Sequence, residues 1–155
     1  MSFPDRFGLS IPLIQAPMAG VSTPSLAAAV SNAGALGSIA VGATDAVGAR
    51  AMIEETRART DRAFNVNLFV HGAAKADPAR EAAWLEWLAP QFADYGAEPP
   101  MALNTIYRSF ADDPEMLAVL LDLAPPVVSF HFGLPTADVI AALRARDIML
   151  LATAT

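Results

Sequence analysis

The sequence contains no cysteine and only two histidines, His71 and His131. Without cysteine the chain can form neither disulfides nor thiolate metal sites, and two histidines are too few for a histidine-based metal site. No apolar stretch approaches the roughly 18 uncharged residues of a membrane span. The N-terminus also lacks a basic region followed by an apolar core. We therefore expect a soluble, cytoplasmic protein that holds no metal and has no membrane partner.

Charge is also scarce: 17 % of the residues are charged, with 10 basic against 16 acidic side chains and a formal net charge of −6. Because the basic residues are scattered, this balance argues against a nucleic-acid partner and favours a small-molecule ligand. Hydrophobic residues make up 54 % of the 155 positions. That fraction predicts an apolar interior larger than a domain of this size usually needs. We expect further protein, a complementary C-terminal chain or a second copy, to cover part of it.

What the sequence does contain is an alternation of strand and helix patterns. Short apolar and β-branched runs predict strands at residues 11–17, 36–42, 63–70, 127–132 and 148–153. Capping residues followed by helical periodicity predict helices at residues 25–32, 45–60, 78–94, 114–123 and 136–146. This rhythm is typical of a parallel α/β fold.

A long excursion at about residues 77–123 separates the third and fourth predicted strands. We predict that it is an inserted helical segment. Connections of this length are usually functional, and this one carries Asn104, Tyr107 and Arg108.

Five parallel strands with their helices are slightly more than half of an eight-stranded barrel, and no helix follows the fifth predicted strand. We therefore interpret residues 1–155 as the N-terminal part of a (β/α)8 TIM barrel whose C-terminal part is absent from this chain. The competing architecture is a complete five-stranded doubly wound sheet, in which a covering helix would normally follow the last strand.

His131 stands at the end of the fourth predicted strand, where parallel-sheet enzymes place their chemistry. Strand alternation predicts Ser129 and His131 on one face of the sheet and Phe130 and Phe132 on the other. The alternative is a structural histidine bonded to a backbone carbonyl near a strand end.

Two asparagines and a small-residue loop are further candidates for a binding site. Asn65 and Asn67 share one face of the third predicted strand, where buried amides need partners in an internal network or at the edge of a cofactor ring. Residues 15–24 would let a flat ring approach the backbone, although an ordinary tight loop has the same composition. Gly34 and Gly37 end a helix rather than open one, so the nicotinamide fingerprint is absent.

Four motifs in this order resemble the nitronate monooxygenase family, formerly called 2-nitropropane dioxygenases: QAPMAGVSTP at 15–24, NAGALG at 32–37, FNVNLF at 64–69 and VSFHFG at 128–133. The resemblance covers essentially the whole chain, and SFHFG is its most specific element. It implies an FMN-dependent (β/α)8 barrel with an inserted segment. The implied reaction oxidises alkyl nitronates with dioxygen and yields a carbonyl compound and nitrite.

The resemblance also implies roles for individual residues. His131 would be the catalytic residue, near both flavin and substrate, and Tyr107 would line the substrate pocket with it. The implied cofactor-binding residues are Ala16, Pro17, Met18, Asn67 and Thr153. The backbone of the first three would lie against the isoalloxazine, and Asn67 would reach its polar edge. The family's later glycine-rich segment and its phosphate-holding loops lie beyond Thr155.

Two other interpretations stay open at this point. The first and second motifs are shared with flavin-dependent enoyl-carrier-protein reductases, which use a nicotinamide donor, and the SFHFG pattern weighs against that assignment. The chain could instead be a non-catalytic half-barrel that needs a complementary chain.

Overall fold

A computed structural model describes residues 3–73 and 75–153 of the chain. Within these ranges the helices are α1 (Phe3–Phe7), α2 (Pro24–Asn32), α3 (Ala46–Arg59), α4 (Pro78–Asp94), α5 (Pro114–Leu123) and α6 (Ala137–Arg144). The strands are β1 (Gly37–Ala40), β2 (Phe64–Phe69), β3 (Val127–His131) and β4 (Met149–Ala152). A short 3-10 helix, Phe110–Asp112, precedes α5. No helix in the described ranges is both long and apolar enough to cross a membrane.

The four strands form one parallel sheet in the order β1-β2-β3-β4. Asn67 lies between Ala40 of β1 and Ser129 of β3, and Ser129 in turn pairs with Leu151 of β4. A doubly wound sheet reverses its strand order near the middle, whereas a barrel adds each strand beyond the previous one. The observed order confirms the barrel interpretation, and the chain forms part of a (β/α) barrel.

The prediction of a strand at residues 11–17 is wrong in extent. A single parallel bridge joins Ile14 to Leu36 there, so the described sheet has four strands rather than five. The prolines at positions 12 and 17 offer no N–H to a ladder. Beyond Leu36, the side chain of Gln15 replaces the backbone: its Oε1 accepts from the Ser38 N–H at 3.0 Å and its Nε2 donates to the Ser38 carbonyl at 3.2 Å.

Local capping sets where most of the helices begin. Thr23 accepts from the Leu26 N–H at 3.2 Å and is followed by a proline at the first helical position of α2. Asp45 accepts from the Gly48 N–H at 2.8 Å, and Asp113 from the Met116 N–H at 3.1 Å. These bonds satisfy donors that a helix N-terminus leaves free, which is why the starts of α2, α3 and α5 match the predictions closely.

The apolar core lies between the outer face of the sheet and the helices. Ile39, Val66 and Val128, one from each of the first three strands, are fully buried in it. Helix α2 approaches β1 so closely that a Cβ at Gly37 would collide with the Ala27 carbonyl oxygen. These three positions therefore face the helices, and the alternate positions Ser38, Asn65, Asn67 and Ser129 lie on the inner face.

The segment Ala73–Ile106 is a compact unit of its own, distinct from the unit formed by the rest of the chain. Helix α4 lies in it, has no buried residue, and carries Trp84 and Trp87 stacked with ring centroids 4.8 Å apart. The excursion predicted at residues 77–123 is thus divided. Helix α5 belongs to the barrel unit, where Leu120 is fully buried.

Candidate active site

A layer of buried polar side chains lies on the inner face of the sheet. Ser38, Asn65, Asn67 and Ser129 come from three adjacent strands and are all buried. The Nδ2 of Asn65 donates to Ser38 Oγ at 3.2 Å and to Ser129 Oγ at 2.9 Å. The Nδ2 of Asn67 donates to Ser129 Oγ at 2.9 Å and to the Ser129 carbonyl at 3.3 Å. Ser129 is therefore the centre of an internal network, one of the two arrangements predicted for these asparagines.

The two asparagines differ in what their carbonyl oxygens can do. Asn65 Oδ1 is buried and has no hydrogen-bond partner among the described residues. Both side-chain bonds of Asn67 use its Nδ2, and its Oδ1 is not among the fully buried unpartnered atoms of the described chain. Asn67 thus keeps an accessible acceptor at the inner face.

His131 ends β3 and is held from both sides by its neighbours. The Val70 N–H donates to the His131 carbonyl at 2.8 Å, and the Thr153 N–H donates to the Phe130 carbonyl at 3.1 Å. The imidazole Nδ1 lies 3.0 Å from Thr153 Oγ1. Within the described ranges Nε2 has no partner, and the ring bonds a hydroxyl rather than a carbonyl. The structure therefore contradicts the alternative of a histidine tied to the backbone.

Aromatic rings lie beside His131 at the carboxyl end of the strands. The Phe132 ring centroid is 4.0 Å from that of His131 and 5.3 Å from that of Phe69. Phe69 in turn meets Tyr107 edge to face, with centroids 5.9 Å apart. Tyr107 is therefore linked to His131 through the rings of Phe69 and Phe132. We call the three rings of Phe69, Tyr107 and Phe132 the aromatic wall.

The prediction that Phe132 shares the outer face with Phe130 is wrong. Phe130 is buried and stacks on Phe110, with centroids 6.0 Å apart, on the helix side of the sheet. Strand β3 ends at His131, and Phe132 adopts a left-handed backbone with φ 73°. This conformation is costly for a residue with a large side chain, and such residues concentrate at functional sites. The left-handed backbone of Phe132 interrupts the strand alternation and places the Phe132 ring against Phe69.

The loop expected to lie against a cofactor is held by two side chains that the sequence analysis did not identify. Ser22 Oγ accepts from the Met18 N–H at 2.9 Å and lies 3.2 Å from the Ala16 carbonyl. Gln15 Nε2 donates to Ser22 Oγ at 2.9 Å and to the Ala16 carbonyl at 3.0 Å. The Ala16 N–H has no partner in the described chain. Gln15 in an apolar run was the available signal, because a polar side chain there needs partners.

The structure links most of the predicted site residues through short chains of contacts. Gln15 connects its loop to Ser38, whose hydroxyl bonds Asn65, and the shared Ser129 hydroxyl extends the chain to Asn67. His131 contacts Thr153 directly. No group of three or more potential metal ligands occurs in the described part of the chain.

The fold and this site define the chain as part of a parallel α/β barrel that carries a histidine with a free ring nitrogen at the carboxyl ends of its strands. Barrels of this kind build their active sites at that end. In this chain the buried polar layer and the aromatic wall both lie near the carboxyl ends of the strands.

Comparisons with known proteins agree with this class. A family model described as nitronate monooxygenase matches residues 3–155. A nitronate monooxygenase of Paraburkholderia phytofirmans is 63 % identical over 148 residues, covering 96 % of this chain and 40 % of that protein. The structure of nitroalkane oxidase from Streptomyces ansochromogenes has a TM-score of 0.80 and 40 % identity, covering 95 % of this chain and 41 % of its own. The structure of FabK from Thermotoga maritima has a TM-score of 0.66 and 26 % identity. The match covers 97 % of this chain and 36 % of the FabK chain.

The chain belongs to the nitronate monooxygenase family, because the family model matches it almost from end to end. It spans about two fifths of the length of the relatives it matches. The resemblance of the four motifs is thereby confirmed at the level of the family.

Proposed function

We propose that this chain supplies the histidine-bearing part of an FMN-dependent enzyme that oxidises alkyl nitronates and nitroalkanes with dioxygen to a carbonyl compound and nitrite. The observation that carries the proposal is His131, whose Nε2 is unpartnered in the described chain while its Nδ1 is held by Thr153. Membership of the nitronate monooxygenase family and the likeness to a nitroalkane oxidase support the substrate class.

The inner face of the barrel fits the ring of FMN. Ala16 is exposed and its N–H is unpartnered among the described residues, and Pro17 and Met18 continue the loop that Ser22 holds. The free acceptor of Asn67 matches the ring N–H at the polar edge of a flavin. These residues would hold the ring, and Thr153, which directly follows β4, would be a further cofactor-binding residue. Bound FMN would accept electrons from the substrate and pass them to dioxygen.

His131 would handle the proton of a neutral nitroalkane. Its Nε2 lone pair takes the α-proton, so that the C–H bond breaks, an N–H bond forms, and a nitronate anion is left. The imidazolium then donates a hydrogen bond to a nitro oxygen.

The aromatic wall would bind the alkyl part of the substrate. Phe132 is 65 % and Tyr107 41 % exposed, so both rings present apolar surface beside His131. Phe69 supports them from β2. Burying an alkyl chain against these rings removes water from the site of proton transfer.

The test is His131→Asn, which removes the base. We expect turnover of a neutral nitroalkane to fall by about 10²- to 10⁴-fold, the usual contribution of a positioned acid or base, while flavin absorbance of the purified protein is retained. His71→Asn is the matched control. The His71 ring lies 3.0 Å from the carbonyl of its neighbour Gly72, and among the described residues it does not contact His131. Parent-level kcat/KM with both nitroalkane and nitronate in the His131 variant would remove the catalytic assignment.

The same preparation separates the other interpretations. Protein that retains no flavin absorbance after incubation with FMN and removal of the unbound FMN would support a non-catalytic half-barrel. Nicotinamide oxidation without nitronate-dependent oxygen uptake would support a reductase. We also propose that strands outside this sequence, from a complementary chain or a second copy, complete the site. Mass analysis of the purified material would detect either.

A further inference from the structure

The contact between His131 and Thr153 is built by the register of β3 and β4. Phe130 pairs with Ala152, and the Thr153 N–H continues the ladder to the Phe130 carbonyl at 3.1 Å. Thr153 therefore lies beside His131 on the same face, where Oγ1 meets Nδ1 at 3.0 Å. No other side-chain bond of Thr153 is found in the described chain, so its hydroxyl is committed to the imidazole.

We propose that Thr153 is a positioning residue that sets the tautomer of His131, with Nδ1–H donating to Thr153 Oγ1 and the lone pair left on Nε2. The proposal rests on the proposed function, since a base that takes an α-proton needs that lone pair on the outward nitrogen. The bond made by one ring nitrogen determines which nitrogen carries the proton. Thr153 can accept from Nδ1 because its side chain is exposed and its own hydroxyl proton can bond water.

The ladder and a neighbouring ring also restrict the imidazole. The carbonyl of His131 accepts from the Val70 N–H and that of Phe130 accepts from the Thr153 N–H, so the ladder fixes the backbone on which the imidazole and the Thr153 hydroxyl stand. Phe132 packs against one face of the ring with a centroid distance of 4.0 Å. Together the hydroxyl and the phenyl ring restrict rotation of the imidazole, which keeps Nε2 directed away from β4.

The test compares Thr153→Val, which removes the hydroxyl at nearly constant volume, with Thr153→Ser, which keeps it. Thr136→Val is the matched control, because Thr136 is exposed and makes no side-chain capping bond. Nitrogen-15 NMR of the neutral histidine rings reports the tautomer, and His71→Asn assigns the two sets of signals. We expect the Nδ1–H form of His131 in the parent protein, in Thr153→Ser and in Thr136→Val, and its loss in Thr153→Val.

Kinetics with nitroethane and with its preformed nitronate provide the second readout. Thr153→Val should lower kcat for nitroethane about tenfold more than it lowers turnover of the nitronate, since only the nitroalkane needs the oriented base and one orienting hydrogen bond has about that value. An unchanged tautomer in Thr153→Val, or an Nε2–H tautomer in the parent, would overturn the proposal. A tautomer that shifts as expected in a protein inactive with both substrates would instead uphold the positioning role and refute the proposed function.

Discussion

Ser129→Ala tests whether the inner polar layer depends on one hydroxyl. Ser129 Oγ accepts from Asn65 Nδ2 and from Asn67 Nδ2, each at 2.9 Å. All three residues are buried, with Asn65 2 % and Asn67 6 % exposed. Replacing the hydroxyl by hydrogen removes both bonds and leaves almost no cavity, so the lost hydrogen bonding dominates the effect.

The expected loss of stability depends on the hydrogen bonds that each amide keeps in the variant. Asn65 retains Ser38 Oγ at 3.2 Å, and Asn67 retains the Ser129 carbonyl at 3.3 Å. Neither amide is orphaned, so the full penalty for a buried unsatisfied donor is not incurred. Two lost bonds at a net value of about 0.5–1.5 kcal/mol each lower the free energy of unfolding by about 1–3 kcal/mol.

Ser38→Ala is the matched control in the same layer. Its hydroxyl accepts a single bond, at 3.2 Å from Asn65, so we expect a loss of about 0.5–1.5 kcal/mol. Urea unfolding followed by far-UV circular dichroism compares the variants. Tryptophan fluorescence is unsuitable, because Trp84 and Trp87 both lie in the unit formed by Ala73–Ile106. A Ser129→Ala variant no less stable than Ser38→Ala would refute the central role of Ser129.

Two further substitutions test the cofactor face and the packing behind it. Asn67→Ala should weaken FMN binding about tenfold in a fluorescence titration, through loss of one hydrogen bond to the ring, while Asn65→Ala should weaken it less. Equal affinities of the two variants would contradict the assignment of Asn67. Gly37→Ala should lower the free energy of unfolding by about 1–3 kcal/mol, because its Cβ meets the Ala27 carbonyl. Gly72→Ala, which meets open space, serves as its control in the same urea experiment, and equal stability of the two variants would refute the packing argument.

Helix starts could be predicted from the sequence because they depend on neighbours three residues away. Thr23, Asp45 and Asp113 each bond an N–H within their own helix, so the information is local. The parallel α/β class was predictable for a similar reason, since the spacing of apolar runs determines which segments can be strands and which can be helices. His131 was found as the residue at the end of such a run.

The first predicted strand shows where local information fails. Residues 11–17 are as apolar as the true strands, yet the ladder stops after Ile14. The side chain of Gln15 takes both backbone groups of Ser38, 23 residues away. The prediction for Phe132 fails for a similar reason. Its left-handed backbone accompanies packing against Phe69 and His131, which the conformational preference of phenylalanine does not indicate.

By itself, the sequence determined the alternation of elements, the caps, the polar positions of β2 and the histidine at the end of β3. These follow from periodicity and short-range chemistry. Only the tertiary structure decided that Ser129 links the two asparagines, that Thr153 holds Nδ1 of His131, and that Gln15 reaches β1. Each of these contacts joins residues that are 22 or more positions apart. Such pairs are brought together by strand register, which depends on how the whole sheet packs against its helices.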